Sequence, residues 1–244
     1  SKIKNIIGPG IGNQKKWLTV KNFLTTQDAN LNYSEQSQKI LKINSIPISN
    51  IYPEININLE RFRIGNPDLE IKGKKIAFGI DSFEDYKMWY EEDFVKLADK
   101  LYEKKLFDYI YLLCGKEKSY LADNIIKLSN KNFFINCSNK DLNGIIFALK
   151  NSSFLVGNNS GPINLGAALG VKSFGLIAND PVEELQYSKI KIITPDNYSN
   201  IRYRERVGMK KLTVDKVFNK IMEDLNQWKH QILHYHPQTI KISI

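Results

Sequence analysis

The stretch Val156-Gly157-Asn158-Asn159-Ser160-Gly161-Pro162-Ile163-Asn164-Leu165-Gly166-Ala167-Ala168-Leu169-Gly170 decides the fold. A short apolar run, Phe154 to Gly157, gives way to polar residues, and an apolar helix then runs from Gly161 to Leu169. Pro162 suits its first turn, where an N–H has no partner inside the helix. A strand that leads straight into a helix is the joint of a βαβ unit. Its loop lies where open parallel sheets bind ligands, beyond the carboxyl ends of the strands and against a helix N-terminus with free N–H groups.

Working outward, the chain from residue 75 repeats this alternation. Lys75 to Ile80 reads as a buried strand, and Glu91 to Lys105 as a helix with Phe94, Leu97, Ala98 and Leu101 at helical spacing. Strand Phe107 to Cys114, helix Lys118 to Leu128 and strand Phe133 to Asn136 follow. Asp141 is placed to cap a helix to about Asn151, and Lys172 to Leu176 is another strand. A last amphipathic helix runs from Val214 to about Trp228, with Thr213 as its N-cap. The expectation is an α/β fold: a Rossmann-type, doubly wound parallel sheet over 71–212, then a helix and tail over 213–244. Residues 1–70 do not make an equal unit. Ile3 to Ile7 reads as a strand, Ser34 to Ile43 as a helix, and Ile48 to Leu59, with Pro53, as an extended connection. This portion reads as the remnant of a second, N-terminal domain and its linker, with that domain's beginning outside the chain.

Composition narrows the function classes. With 42% hydrophobic and 25% charged residues the chain is neither a disordered tail nor a bare coiled coil. Its best apolar runs, Ile76 to Ile80 and Tyr109 to Cys114, fall far short of the roughly 20 residues that cross a bilayer. Two cysteines, Cys114 and Cys137, fit a reducing cytoplasm. The net charge of +9 comes almost wholly from lysine. Arginine, whose planar fork reads bases and phosphates, occurs only at 61, 63, 202, 204 and 206, so no nucleic-acid partner is expected. Compositional bias in a Lys-, Asn- and Ile-rich chain with a solvated surface is the first reading of this charge, and the other is an anionic partner such as a nucleotide, a phosphorylated glycan or an acidic membrane face.

Three loops carry polar residues at the ligand-binding end of the sheet. In Asn158-Asn159-Ser160-Gly161, a pyrophosphate fits against the backbone N–H groups, with Asn159 and Asn164 projecting into the same cleft. The alternative is that Asn159 or Ser160 simply caps the helix. In Asp81 to Trp89, Lys87 and Ser82 are suited to a diphosphate, although a loop lysine is also an ordinary solvated residue. In Gly115-Lys116-Glu117, a carboxylate can accept ribose hydroxyls or simply favour the first turn of a helix. Gly8-Pro9-Gly10-Ile11-Gly12 lacks the spacing of a dinucleotide fingerprint. His230, His234 and His236 have no partners at metal-ligand spacing, and Cys114 has no nearby histidine, so neither a metal site nor a thiol nucleophile is expected.

In this order the three loops resemble those of glycosyltransferase family nine, the ADP-heptose:lipopolysaccharide heptosyltransferases. Ser82, Lys87 and Trp89 stand where the family has small hydroxyl residues and a Lys-x-Trp motif, and Leu112 to Glu117 matches its strand ending in Gly before an acidic residue. The family signature reads approximately Val-Gly-Asn-Asp-[Ser/Thr]-Gly-Pro-Met-His-Leu-Ala-Ala-Ala-Leu-Gly, and residues 156–170 agree with it at eleven of fifteen positions. The segments Gly10 to Thr19 and Asn32 to Ile46 resemble the late part of the family's first domain.

The resemblance implies a GT-B-like architecture, two Rossmann-like domains facing across a cleft, here with the C-terminal one complete. It implies inverting, metal-independent transfer of a sugar, such as heptose, from a nucleotide sugar to a lipopolysaccharide core or related glycan. No cofactor is expected beyond the donor substrate itself. The setting is cytoplasmic, with at most a peripheral contact at the inner face of the bacterial inner membrane. Ser82 and Lys87 would contact the diphosphate, Glu117 the ribose, and Asn159, Ser160, Gly161 and Asn164 the sugar and phosphate end of the donor. The catalytic base is expected from the N-terminal domain. Two of the four departures change the chemistry: Asn159 replaces Asp and Asn164 replaces His, amides that hydrogen-bond but carry no charge. Two further readings are a non-catalytic sugar-nucleotide-binding or assembly module, and a different GT-B-like enzyme such as a sugar-nucleotide epimerase or hydrolase.

Overall fold

The computed structural model describes residues 4–48, 52–178, 180–185, 189–198 and 206–235. Its centre is a six-stranded, all-parallel sheet. The strands are β1 (Lys75–Gly79), β2 (Tyr109–Leu113), β3 (Phe134–Asn136), β4 (Leu155–Asn158), β5 (Ser173–Leu176) and β6 (Ile190–Ile193), in spatial order β3-β2-β1-β4-β5-β6. The helices are α1 (Tyr33–Ile43), α2 (Leu59–Ile64), α3 (Glu91–Glu103), α4 (Ser119–Ser129), α5 (Leu142–Lys150), α6 (Gly161–Ala168), α7 (Val207–Lys210) and α8 (Val214–Tyr235).

Both sheet faces are covered, so its strands are apolar on both sides rather than alternating apolar and polar. Ile76, Phe78, Ile110, Leu112, Val156 and Phe174 point to one face and pack under α3, α4 and α8. Ala77, Tyr111, Leu113 and Leu155 point to the other, under α5 and α6. The order reverses between β1 and β4, which pair in the register Gly79↔Gly157. This is the switch point where doubly wound sheets leave a crevice at their carboxyl ends. The approach is tight at Gly157, where a Cβ would stand 3.0 Å from the Gly79 Cα and carbonyl oxygen, whereas one on Gly79 would make ordinary contact, 3.4 Å from Pro162. The two glycines let β1 and β4 close together beneath the start of α6.

The expected strands and helices from residue 75 to Leu176 all form, with ends shifted by a few residues, and Asp141 caps α5 through the Gly144 N–H at 2.9 Å. Four features differ. Residues 4–7 pair with no strand; Gly8 and Pro9 interrupt the run, and Ile6 is held instead by Thr19, whose Oγ1 accepts its N–H at 2.8 Å. Over 52–58 the connection is extended, with the Ile55 N–H donating to Ala168 at the end of α6, but it leads into α2, capped by Asn58. The sixth strand was not expected from a Lys-Ile-Lys-Ile-Ile run; it is an edge strand whose exposed Lys191 guards against further pairing. Finally, α8 continues beyond Trp228 to Tyr235.

Candidate functional site

The site forms around the N-terminus of α6. Ser160 occupies the N-cap position in extended backbone, yet no side chain caps the helix. The Ser160 hydroxyl donates backward to the Asn158 carbonyl at 3.3 Å, and the Asn159 amide points elsewhere, so neither takes the capping role. A Cβ added at Gly161 would meet nothing within 4 Å, so the approach to the first turn is open. Uncapped N–H groups and the positive end of a helix dipole together favour an anion there.

On the β2–β3 side of this helix end lies a cleft of about 660 Å³. Leu142, Ile145, Pro162 and Leu165 make its walls, while Gly115, Lys116, Ser138 and Asp141 contribute polar groups. Leu142 is 65% exposed, unusual for a leucine at a helix start, and presents apolar surface to the cleft. Flat apolar walls with a few polar groups at the rim suit a heteroaromatic ring.

The other side of the helix end is charged. Lys87 Nζ lies 2.8 Å from Glu84, 3.3 Å from Asp180 and 3.4 Å from Glu184. The Asn159 amide donates to the same Glu184 Oε2 at 2.6 Å and reaches Asp180 Oδ2 at 3.5 Å. Lys87, Asp180, Asn159 and Glu184 thereby close a ring. Burial works against the Lys87 ammonium, but the Glu84 hydrogen bond and the Asp180 and Glu184 charges outweigh it and hold its pKa above the usual lysine value. Burial pushes the Asp180 carboxyl upward, with Lys87 opposing. Asp180 is 2% exposed, and its Oδ1 has no hydrogen-bond partner among the described residues.

Beneath the ring the loops are cross-braced. Asn158, fully buried, accepts the Trp89 N–H at 2.9 Å and donates to the Ile80 carbonyl at 2.9 Å, tying the end of β4 to the loop after β1. The Trp89 indole donates to Leu212 at 2.8 Å. Arg206 stacks on Tyr90 with 4.2 Å to the ring centroid and donates to the Met88 and Trp89 carbonyls at 2.9 and 2.7 Å. Lys118 donates to the Ser82 carbonyl at 2.7 Å and to Asp85 at 2.8 Å, which lowers the Asp85 pKa. It stands 3.6 Å from Asp81 Oδ1, an ion pair too long for a hydrogen bond.

Of the residues singled out in the sequence, Ser82, Lys87, Asn159, Ser160 and Gly161 come together here. Ser82 is buried, and its hydroxyl donates to the Asn159 carbonyl at 3.1 Å, joining the two loops. Asn164 folds back on the first turn of α6, donating to the Ser160 carbonyl at 3.0 Å while its Oδ1 stays buried without a partner. Glu117 is exposed on the one-turn helix Lys116–Lys118 and is not among the residues lining the cleft, whereas its neighbour Lys116 is. Asp180 and Glu184 escaped the sequence reading. Asp180 follows β5 at the same carboxyl end, so the rule that selected the other loops would have found it.

Cys114 and Cys137 are buried free thiols, pushed by burial up to about 11 and about 12. No group of three or more His, Cys, Asp or Glu among the described residues is arranged to hold a metal ion, and no described helix is long and apolar enough to cross a membrane. The side chains of His230 and His234, and all of His236, lie outside the described residues.

Comparison with solved structures shows the same fold in three proteins. The E. coli ADP-heptose lps heptosyltransferase II aligns with a TM-score of 0.63 at 14% identity, covering 77% of this chain and 57% of its own. The E. coli heptosyltransferase WaaC with ADP gives 0.64 at 17% identity, covering 85% and 60%. A family 9 glycosyl transferase from Veillonella parvula gives 0.68 at 14% identity, covering 86% and 64%. This chain thus spans about three fifths of the length of these proteins. No curated protein sequence matches it significantly. The sequence model of glycosyltransferase family 9 (heptosyltransferase) matches residues 36–210, well over half of the chain, and the protein belongs to that family.

Proposed function

We propose that this chain forms the donor side of a glycosyltransferase that moves a sugar from a nucleotide sugar to a glycan acceptor, a lipopolysaccharide core or a related glycolipid. One observation carries this reading: the open, uncapped start of α6 stands between an apolar cleft and a charged ring. The base would occupy the cleft, the diphosphate would lie across the helix start, and the sugar would extend toward Lys87. On this reading residues 71–212 are the donor domain, 1–70 belong to the acceptor side, and 213–244 form the closing helix and tail.

In the transfer, the acceptor hydroxyl attacks the anomeric carbon as its bond to the diphosphate oxygen breaks, and a single in-line displacement inverts that centre. Negative charge grows on the departing nucleoside diphosphate. The α6 dipole and the Lys87 ammonium are placed to stabilise it, so the step is written without a metal. Asn159 and Asn164 take up no proton at neutral pH. The base for the acceptor hydroxyl is assigned to the acceptor-side domain on the family resemblance alone. A glycolipid acceptor would be met by peripheral contact at the cytoplasmic membrane face, where a net charge of +9 favours anionic lipid.

E. coli WaaC is described with ADP and with ADP-2-deoxy-2-fluoro heptose, which supports ADP-heptose as the first donor to test. ADP or ADP-heptose should raise the melting temperature of the chain, and Lys87→Ala should remove that rise. No shift with ADP, UDP, GDP or their sugar conjugates would sink the donor-site reading.

A further inference from the structure

Among the described residues, carboxylates outnumber cations around Lys87. One ammonium faces the carboxylates of Glu84, Asp180 and Glu184 at 2.8, 3.3 and 3.4 Å. A diphosphate pressed into the middle of this ring would come up against these carboxylates, whereas a sugar hydroxyl can donate to them. Glu84 differs from the other two: it is 42% exposed and sits on the same loop as Lys87, three residues away, so a diphosphate can displace it. Asp180 and Glu184, 2% and 13% exposed, are fixed from the far side by the Asn159 amide.

Ionised carboxylates accept hydrogen bonds and donate none. The ring itself leaves acceptor capacity over, since Asp180 Oδ1 is buried without a partner. A second orphaned acceptor, Asn164 Oδ1, lies in the first turn of α6. Both unsatisfied atoms call for a hydroxyl or amine donor, and neither calls for another acceptor. Where the motif has the neutral Asn159, the negative charge comes instead from the loop after β5.

Resting on the donor reading above, we propose that Glu184 is a specificity-determining residue that accepts hydrogen bonds from the hydroxyl groups of the donor's sugar, and that Asp180, buried behind it, is a positioning residue that holds Lys87 and Asn159 in the ring. The ring thereby distinguishes a nucleotide sugar from the bare nucleoside diphosphate, and Asn159 orients Glu184 for this purpose.

The test compares two ligands within each variant, so that any general loss of folded protein cancels. Calorimetric Kd values for ADP and ADP-heptose, and for the UDP–UDP-glucose and GDP–GDP-mannose pairs, are measured on the wild-type chain, Glu184→Gln and Asp180→Asn. The wild type should bind the sugar conjugate of its preferred base more tightly than the diphosphate alone. Glu184→Gln should weaken the conjugate by roughly tenfold to a hundredfold, the range for loss of a charge-assisted hydrogen bond, and leave the diphosphate unchanged or tighter. Asp180→Asn should act in the same direction. Equal weakening of both ligands in each variant, or no change in either, overturns the proposal while leaving the donor reading standing. Binding of none of the six ligands by the wild type overturns the donor reading and the inference with it.

Discussion

Replacing Lys87 by Met keeps most of the side-chain volume and removes one charge from the centre of the ring. Asp180 and Glu184, 2% and 13% exposed, then lose the ammonium that lies 3.3 and 3.4 Å from them and keep the Asn159 amide. Removing one partner of a buried ion pair costs about 3–5 kcal/mol, because the remaining charge is stranded. Glu84 is 42% exposed and is rehydrated at little cost, so the lower end, about 3 kcal/mol, applies. In a chain of this length that lowers Tm by about 6–12 °C near neutral pH. The loss should depend on pH with a definite sign. Burial already raises the Asp180 pKa, so the folded state binds its proton more tightly than the unfolded state does. Ionisation of this group therefore costs stability above its folded pKa, and the cost is relieved as pH falls through it. Without the ammonium the Asp180 pKa rises further, so the gap between variant and wild type should be widest at neutral pH and narrow on acidification. Urea denaturation of both proteins at about pH 7.5 and about pH 5 reads this directly. A gap that is absent at neutral pH, or that widens in acid, would refute the claim that Lys87 chiefly neutralises buried carboxylates.

Three further outcomes follow from the scaffold. Asn158→Ala should cost about 2–3 kcal/mol in denaturant unfolding, since it strands the buried Trp89 N–H and Ile80 carbonyl; a cost below about 1 kcal/mol would mean that these groups find other partners. Gly157→Ala puts a Cβ 3.0 Å from the Gly79 backbone, which cannot swing away as a side chain can, and should destabilise by about 1–3 kcal/mol. It should also weaken nucleotide binding, because β1 and β4 part beneath α6, and unchanged affinity would detach the glycine pair from the site. With thiols pushed up to about 11 and about 12, Cys114 and Cys137 should react with a thiol reagent at pH about 8 only after unfolding, and rapid stoichiometric labelling of the native chain would contradict their burial.

What the sequence made legible is what is local. The apolar runs of β1, β2, β4 and β5 are unbroken and end in turn residues, so the strands and the loops at their ends could be placed. The cap at Asp141 and the proline turn at Pro162 were equally readable. Elements that depend on a distant partner were hidden. Residues 189–192 alternate charged and apolar like a half-buried edge, and only pairing with β5 makes 190–193 a strand. The run before Gly8 is apolar enough for a strand but finds no neighbour. The site followed the same division. Lys87, Ser82 and the start of α6 were found because each sits at the mouth of a strand. The ring was not, because Asp180 and Glu184 reach Lys87 across most of a hundred residues of chain. Glu117 was singled out by its place after β2 and by the family resemblance; it is exposed beside the cleft that its neighbour Lys116 lines.

The switch point between β1 and β4 also governs how the chain can assemble. Ala77 pairs with Leu155, so one edge of the first-made strand stays unsatisfied until the polypeptide has grown past β4, while β2 and β3 can join its other edge earlier. Parallel pairing over such a separation must meet its loop-closure entropy before any contact repays it, which makes folding slow and leaves Ile76, Ala77 and Phe78 open to pairing with other chains meanwhile. The strand that leads into the ligand-end loop is thus also the one that closes the open edge of β1, and chains stopped short of residue 155 would carry an open, sticky edge where the longer one carries a crevice.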